Sequence, residues 1–228
     1  MENALSRRSF VGKIAGAAAG IGSLSLISNP LNPASKTFDA ASKKIAADAE
    51  SWIKQGKGSH RIVYDASEPH AGMPIIWSWV YYLTNNETGV ADNDMTAMVV
   101  LRHNAIPFAL EDSVWKTYNL GEVFKITDNR TQKPATRNPF YLPQEGDFPN
   151  PVIEGIQKQQ SRGAMYCVCN MALKVYSGIV AKQAGLDPTV VYNDWSKAVL
   201  KDIQVVPSGV WAIGRAQENK FAYCYAGG

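Results

Sequence analysis

Apolar positions follow two alternating periods along the chain. Over residues 38–55, Phe38, Ala41, Ile45, Ala49, Trp52 and Ile53 fall on one helical face, and Gly56 and Gly58 end the run. This predicts an N-terminal helix packed on the domain or on a neighbouring subunit. Beyond it, short runs rich in β-branched residues predict strands over 60–67, 95–106, 164–169, 203–209 and 221–227. Helical periodicity predicts helices over 72–86, 108–120, 150–163, 170–185, 187–202 and 210–220. Pro74 falls in the first turn of its helix, where a missing N–H costs nothing. Gly163 and Gly185 mark two C-termini.

Apolar strands that alternate with helices indicate an α/β fold. The expected architecture is a three-layer α/β/α domain around a mostly parallel, five-stranded sheet. The stretch 124–150 breaks the pattern, with Pro134, Pro139, Pro143 and Pro149 and little periodicity. A loop of that length is a functional or interface element, or a surface excursion without a role.

The N-terminus adds a destination. Arg7 and Arg8 precede an uncharged run from Ile14 to Ile27, rich in Ala and Gly. A positive region before a short apolar one is an export signal, and the paired arginines make it the twin-arginine kind. The run falls short of the roughly 20 apolar residues of a transmembrane helix, so no stable membrane span is expected; an uncleaved anchor is the alternative. The expected organisation is a signal peptide over 1–34, a helix and linker over 35–59 and a domain over 60–228. The mature chain would start between about residues 28 and 42. Its export partner would be the twin-arginine translocase. Its compartment would be periplasmic or otherwise extracytoplasmic, where disulfides are permitted.

Charge says little about partners. The formal net charge is +3, of which residues 1–34 contribute +2. No basic stripe points to nucleic acid. The 3 cysteines cannot all pair within one chain, and no Cys/His spacing resembles a structural zinc site. Neither a Gly-x-Gly-x-x-Gly fingerprint nor a Walker loop is present, so no nucleotide and no other cofactor is expected.

Ligands of open parallel sheets bind beyond the carboxyl ends of the strands. The predicted strands end in Asp65-Ala66-Ser67-Glu68-Pro69-His70, Arg102-His103-Asn104, Cys167-Val168-Cys169-Asn170 and Pro207-Ser208-Gly209. Cys169 falls at a turn from strand to helix, where free N–H groups favour a thiolate. His103 and Arg102 on the same rim would strengthen that tendency. The alternative for Cys169 is a buried small hydrophobe. Cys167 lies two residues earlier, on the same face of a regular strand. A Cys167–Cys169 disulfide would be strained, so core filler is its expected role. Cys224 could be core, reach a neighbouring subunit or pair with another cysteine. Ser208 opens a turn able to hold an anion at a helix start.

The segments "RIVYDAS", "MVVLRHNAIPFAL", "GAMYCVCNMAL" and "VVPSGVWAIGRAQENKFAYCYAGG" resemble the DsrE/DsrF-like sulfur-relay family over about residues 60–226. The likeness is to an exported subgroup sharing "LRH", "CVCN" and "PSGVWA". The resemblance implies a doubly wound five-stranded domain that forms homo-oligomers, with a small sulfur compound as partner. It also implies that Cys169 carries sulfur as a persulfide, with His103 after the second strand. Two other functions stay open. One is a binding module without turnover, holding a small anion, or copper(I) or zinc through Cys169, Cys167 and His103. The other is an oligomeric structural protein with inert thiols.

Overall fold

A computed structural model describes residues 40–226. The expected signal peptide, the first residues of the linker and the start of the 38–55 helix lie outside the described residues. In chain order the main elements begin with helix α1 (Ala40–Ile53), strand β1 (His60–Ala66), helix α2 (Met73–Glu87) and strand β2 (Met95–Leu101). Short helices α3 (Asp112–Thr117) and α4 (Leu120–Val123) follow, then two-residue strands β3 (Thr127–Asp128) and β4 (Lys133–Pro134). Helix α5 (Ile156–Arg162), strand β5 (Met165–Cys169) and helices α6 (Asn170–Ala184) and α7 (Pro188–Lys197) come next. Strand β6 (Ile203–Val206), helix α8 (Gly209–Glu218) and strand β7 (Ala222–Tyr225) complete the fold.

The main sheet has five strands in the order β6-β5-β2-β1-β7, and every pairing in it is parallel. The chain steps outward in one direction from β1 to β2, β5 and β6, then returns to place β7 on the far side of β1. Crossovers are right-handed in nearly all folds, so reversing direction moves the connecting helix to the other face. The packing follows that rule. Ile75 and Tyr82 of α2, Leu173 of α6 and Trp195 of α7 share a large core with Tyr64, Val99 and Val168. Ala212 and Ala216 of α8 share a smaller core with Ala49 and Ile53 of α1, and with Val63, Met98 and Val100. The three-layer α/β/α architecture is therefore present, with α1 packed on its own domain.

Several boundaries differ from the sequence pattern. β2 stops at Leu101 rather than 106, because the chain turns into a 3-10 segment, His103–Ala109, containing Pro107. The run 108–120 is split, since Asn119 adopts φ 49° between α3 and α4. Only 156–162 of the run 150–163 is helical, entered from Gly155.

The stretch 124–150 is folded rather than a bare loop. Arg137 donates to the fully buried Asp147 at 2.5 Å, and Gln144 N–H donates to the same carboxylate at 2.6 Å. Phe140 meets Phe108 edge-on at 4.8 Å and Phe148 at 5.3 Å. Burying one such ring stabilises by about 1.5–3 kcal/mol. Phe140 also lies against Gly72, whose φ of 86° and lack of a Cβ make room for the ring.

Candidate functional site at the carboxyl rim

Polar chemistry gathers at the carboxyl ends of β1, β2 and β5. Consecutive residues of a strand point to opposite faces, and the chain keeps this alternation across the rim. Asp65 follows the parity of Val63 and faces the α8 side; Arg102 meets it there, with its stem against Gly209. His103 instead meets Tyr176 of α6. The rim thus carries two separate groups on opposite sides of one sheet.

On the α8 side, Arg102 Nε and Nη2 donate to the two oxygens of the buried Asp65 at 2.5 and 3.0 Å. Tyr223 of β7 donates its hydroxyl to the same carboxylate at 3.0 Å. The Asp65 hydrogen bond, ahead of burial's opposing effect, holds the Arg102 guanidinium above its ordinary value. Ser208 caps α8 by accepting the Trp211 N–H at 3.2 Å. A Cβ on Gly209 would sit 2.6 Å from Arg102 Cβ and 2.7 Å from Cδ. The Ser208-Gly209 turn therefore seats the Arg102 stem.

On the α6 side, Glu68 lies just beyond β1. Asn104 Nδ2 donates to both of its oxygens, at 3.1 and 2.9 Å. His103 Nδ1 stands 3.3 Å from Glu68 Oε1 and 3.3 Å from the Tyr176 hydroxyl. Burial first, and then the Glu68 charge, push the Tyr176 phenol up to about 12, so it keeps its proton at neutral pH. The His103 backbone has φ 51°, uncommon for a residue with a Cβ. Two backbone bonds hold this turn, Arg102 N–H to Ala66 O and Asn104 N–H to Ser67 O, each 2.9 Å. The His103 side chain is 53% exposed.

Cys169 is the last residue of β5 and the N-cap of α6. Its sulfur accepts the Ala172 N–H at 3.3 Å. The residue is only 6% exposed and belongs to the large core. Asn170, which follows it, accepts the Tyr192 hydroxyl at 2.7 Å.

The structure brings some of the expected residues together and separates others. Cys169 and His103 share the rim and the α6 side. No hydrogen bond or ion pair joins them among the described residues. Arg102 is engaged with Asp65 across the sheet from Cys169. Cys167 does not share a face with Cys169: it is fully buried in the smaller core, because the chain leaves strand geometry at Cys169 to enter α6. Burial first, and the neighbouring Cys169 second, push the Cys167 thiol well up, so it stays protonated filler. Cys224, half-buried in β7, pairs in register with Tyr64. All three cysteines are free thiols. Cys169, Cys167 and His103 do not form a ligand set. Among the described residues, no three His, Cys, Asp or Glu side chains are grouped to hold a metal ion. The metal-binding alternative therefore lacks its donors there. Glu68 stands on the rim where the sequence places the segment after β1, but its pairing with His103 is a finding of the structure; nothing in the sequence distinguishes Tyr176.

Fold and rim together define a three-layer, doubly wound α/β domain with polar residues gathered at its strand ends. No protein-family model matches the chain, and no curated protein matches it in sequence. Among solved structures, a protein of unknown function from Methanobacterium thermoautotrophicum is similar. It is 16% identical, with a TM-score of 0.39, over 73% of this chain and 99% of that one. Among the described residues, no helix is long and apolar enough to cross a membrane.

Proposed function

We propose that the protein is an exported, DsrE-like domain that handles a small sulfur compound through the Cys169 thiol, working as a homo-oligomer outside the inner membrane. The observation that carries the reading is the hydrogen bond from the Ala172 N–H to the Cys169 sulfur at the start of a 15-residue helix. The helix N-terminus thus aims a donor at the sulfur, where a nucleophilic or sulfur-carrying atom would use it. At 6% exposure it admits only a small reactant. The step is sulfane transfer. The Cys169 thiolate attacks a terminal sulfur of an inorganic polysulfide, a new S–S bond forms, and the shortened polysulfide leaves with the electron pair. The product is a Cys169 persulfide. Arg102 enters as an organiser of the rim through Asp65, not as a partner of the thiol.

The test is mass spectrometry of the folded protein after incubation with polysulfide, in the wild type and in Cys169→Ser. One added sulfur on the Cys169 peptide, absent from the variant, is expected. Sulfur found only on Cys224, or on no cysteine, overturns the reading.

A further inference from the structure

Glu68 and His103 form a pair whose chemistry is decided by one proton. Glu68 Oε1 and the Tyr176 hydroxyl both stand 3.3 Å from His103 Nδ1. A carboxylate has only lone pairs to offer. If Nδ1 carried a lone pair as well, the contact with Glu68 would be repulsive, with no proton between the two atoms. If Nδ1 carries the proton, the contact is a hydrogen bond, and the Tyr176 oxygen shares it as a second acceptor. The carboxylate is not free to turn away, because Asn104 Nδ2 holds both its oxygens. The imidazole is not free either. Its backbone is fixed at φ 51° by the two bonds to the end of β1. An unfavourable backbone conformation retained at a strand end, where surrounding bonds over-determine it, is characteristic of working sites.

We propose that Glu68 is a positioning residue that holds His103 as the Nδ1–H tautomer, leaving Nε2 as a proton acceptor on the α6 side of the rim. Which ring nitrogen is protonated is set by the hydrogen bond the other makes. The ligand that suits an outward Nε2 lone pair is a small sulfur hydride, whose S–H donates to it. His103 Nε2 takes that proton as the sulfur anion forms, and the electron pair stays on sulfur. This last assignment rests on the thiol reading above; the tautomer does not.

Two measurements keep the two ideas apart. Long-range nitrogen-15 correlation spectra of the folded wild type at neutral pH should show the His103 Nδ1–H form. Glu68→Ala should move His103 toward the Nε2–H form, while Tyr176→Phe should leave it unchanged. Nε2–H in the wild type, or no change in Glu68→Ala, overturns the positioning role whatever the sulfur chemistry. The second measurement is the rate of sulfur uptake by Cys169 from hydropolysulfide. It should fall about tenfold in Glu68→Ala and at least as far in His103→Ala. Equal rates in wild type and both variants overturn the proton-acceptor role. Absence of uptake in the wild type overturns the thiol reading and leaves the tautomer result standing.

Discussion

Each end of the parallel sheet sets an arginine among carboxylates, and the two arginines differ in how fully they are engaged. At the amino end, Arg162 donates through Nε and Nη2 to Asp92 at 2.9 and 3.0 Å, and through Nη1 to Glu154 at 2.9 Å. Nη2 also reaches Asn86 at 2.6 Å, and the guanidinium lies 4.8 Å from the Tyr82 ring centroid. Four of its five N–H groups are engaged, and they tie the end of α2, the turn before β2 and the segment before α5 into one piece. At the carboxyl end, Arg102 makes two hydrogen bonds, both to Asp65, and Nη1 has no hydrogen-bond partner among the described residues. Beside it His103 carries an unused Nε2 and a left-handed backbone. Near-full engagement makes Arg162 a structural clamp, whereas Arg102 keeps more of its donor capacity unused. Charge alone would not have separated the two.

The clamp should show the largest effect on stability. Arg162→Met is expected to lower unfolding free energy by about 3 kcal/mol, because it strands Asp92 and Glu154 in partly buried places. Urea denaturation measures this. The same variant sharpens the comparison through acid. The Arg162 hydrogen bond, the leading cause, holds the Asp92 carboxyl below its ordinary 3.8. A depressed carboxyl contributes stability above the unfolded value and loses it as pH falls through the folded one. Wild type should therefore lose stability below about pH 4 more steeply than Arg162→Met. Equal slopes would show that the clamp is not the source.

The carboxyl rim should give less. Gly209→Ala places a methyl group 2.6 Å from Arg102 Cβ, and displacing that stem should cost about 1–2 kcal/mol. Asp65→Asn, which keeps the shape and removes the charge, should cost about 1–2 kcal/mol. If either matched Arg162→Met, the distinction between clamp and rim would collapse.

Thiol accessibility comes next. Methyl methanethiosulfonate should modify Cys169 in the folded protein at least about tenfold faster than a bulky aromatic disulfide does, since the residue is nearly buried. Cys167 should resist both. Peptide mapping after timed quenching separates the three sites. Smallest of all, His103→Asn should raise stability by about 0.5 kcal/mol, because asparagine tolerates the left-handed region better. That gain would come with loss of the rim's proton acceptor.

The layers and the order of strands and helices were legible in the sequence, because strands buried on both faces read as continuous apolar runs and the helices keep their 3.6-residue period. The rim was legible as a location. Asp65, Arg102, His103, Cys169 and Ser208 all stand at carboxyl ends, as their places after apolar runs implied. Their partnerships were not legible. Arg102 and His103 are adjacent in sequence, yet they serve opposite sides of the sheet, a separation that only the alternation of side chains reveals. Cys167 and Cys169 should share a face by the same alternation, and the start of α6 undoes it within one residue. Glu68 was legible as part of the segment after β1 but not as a partner of His103, and Tyr176 comes from a helix face where no period marks a residue as unusual. The folded state of 124–150 was hidden because its order depends on the buried Asp147 rather than on any repeat.

The last strand has a consequence for biosynthesis. β7 pairs with β1, so Ile62 lies beside Ala222 although most of the domain separates them in sequence. While the chain is being translated, that flank of β1 has no neighbour until residues 222–225 leave the ribosome. Tyr223 likewise cannot reach Asp65 before then. The nascent sheet therefore waits with an open edge, a surface prone to sticking to other chains. A truncated polypeptide ending before residue 222 would be a client for chaperones rather than a smaller working domain.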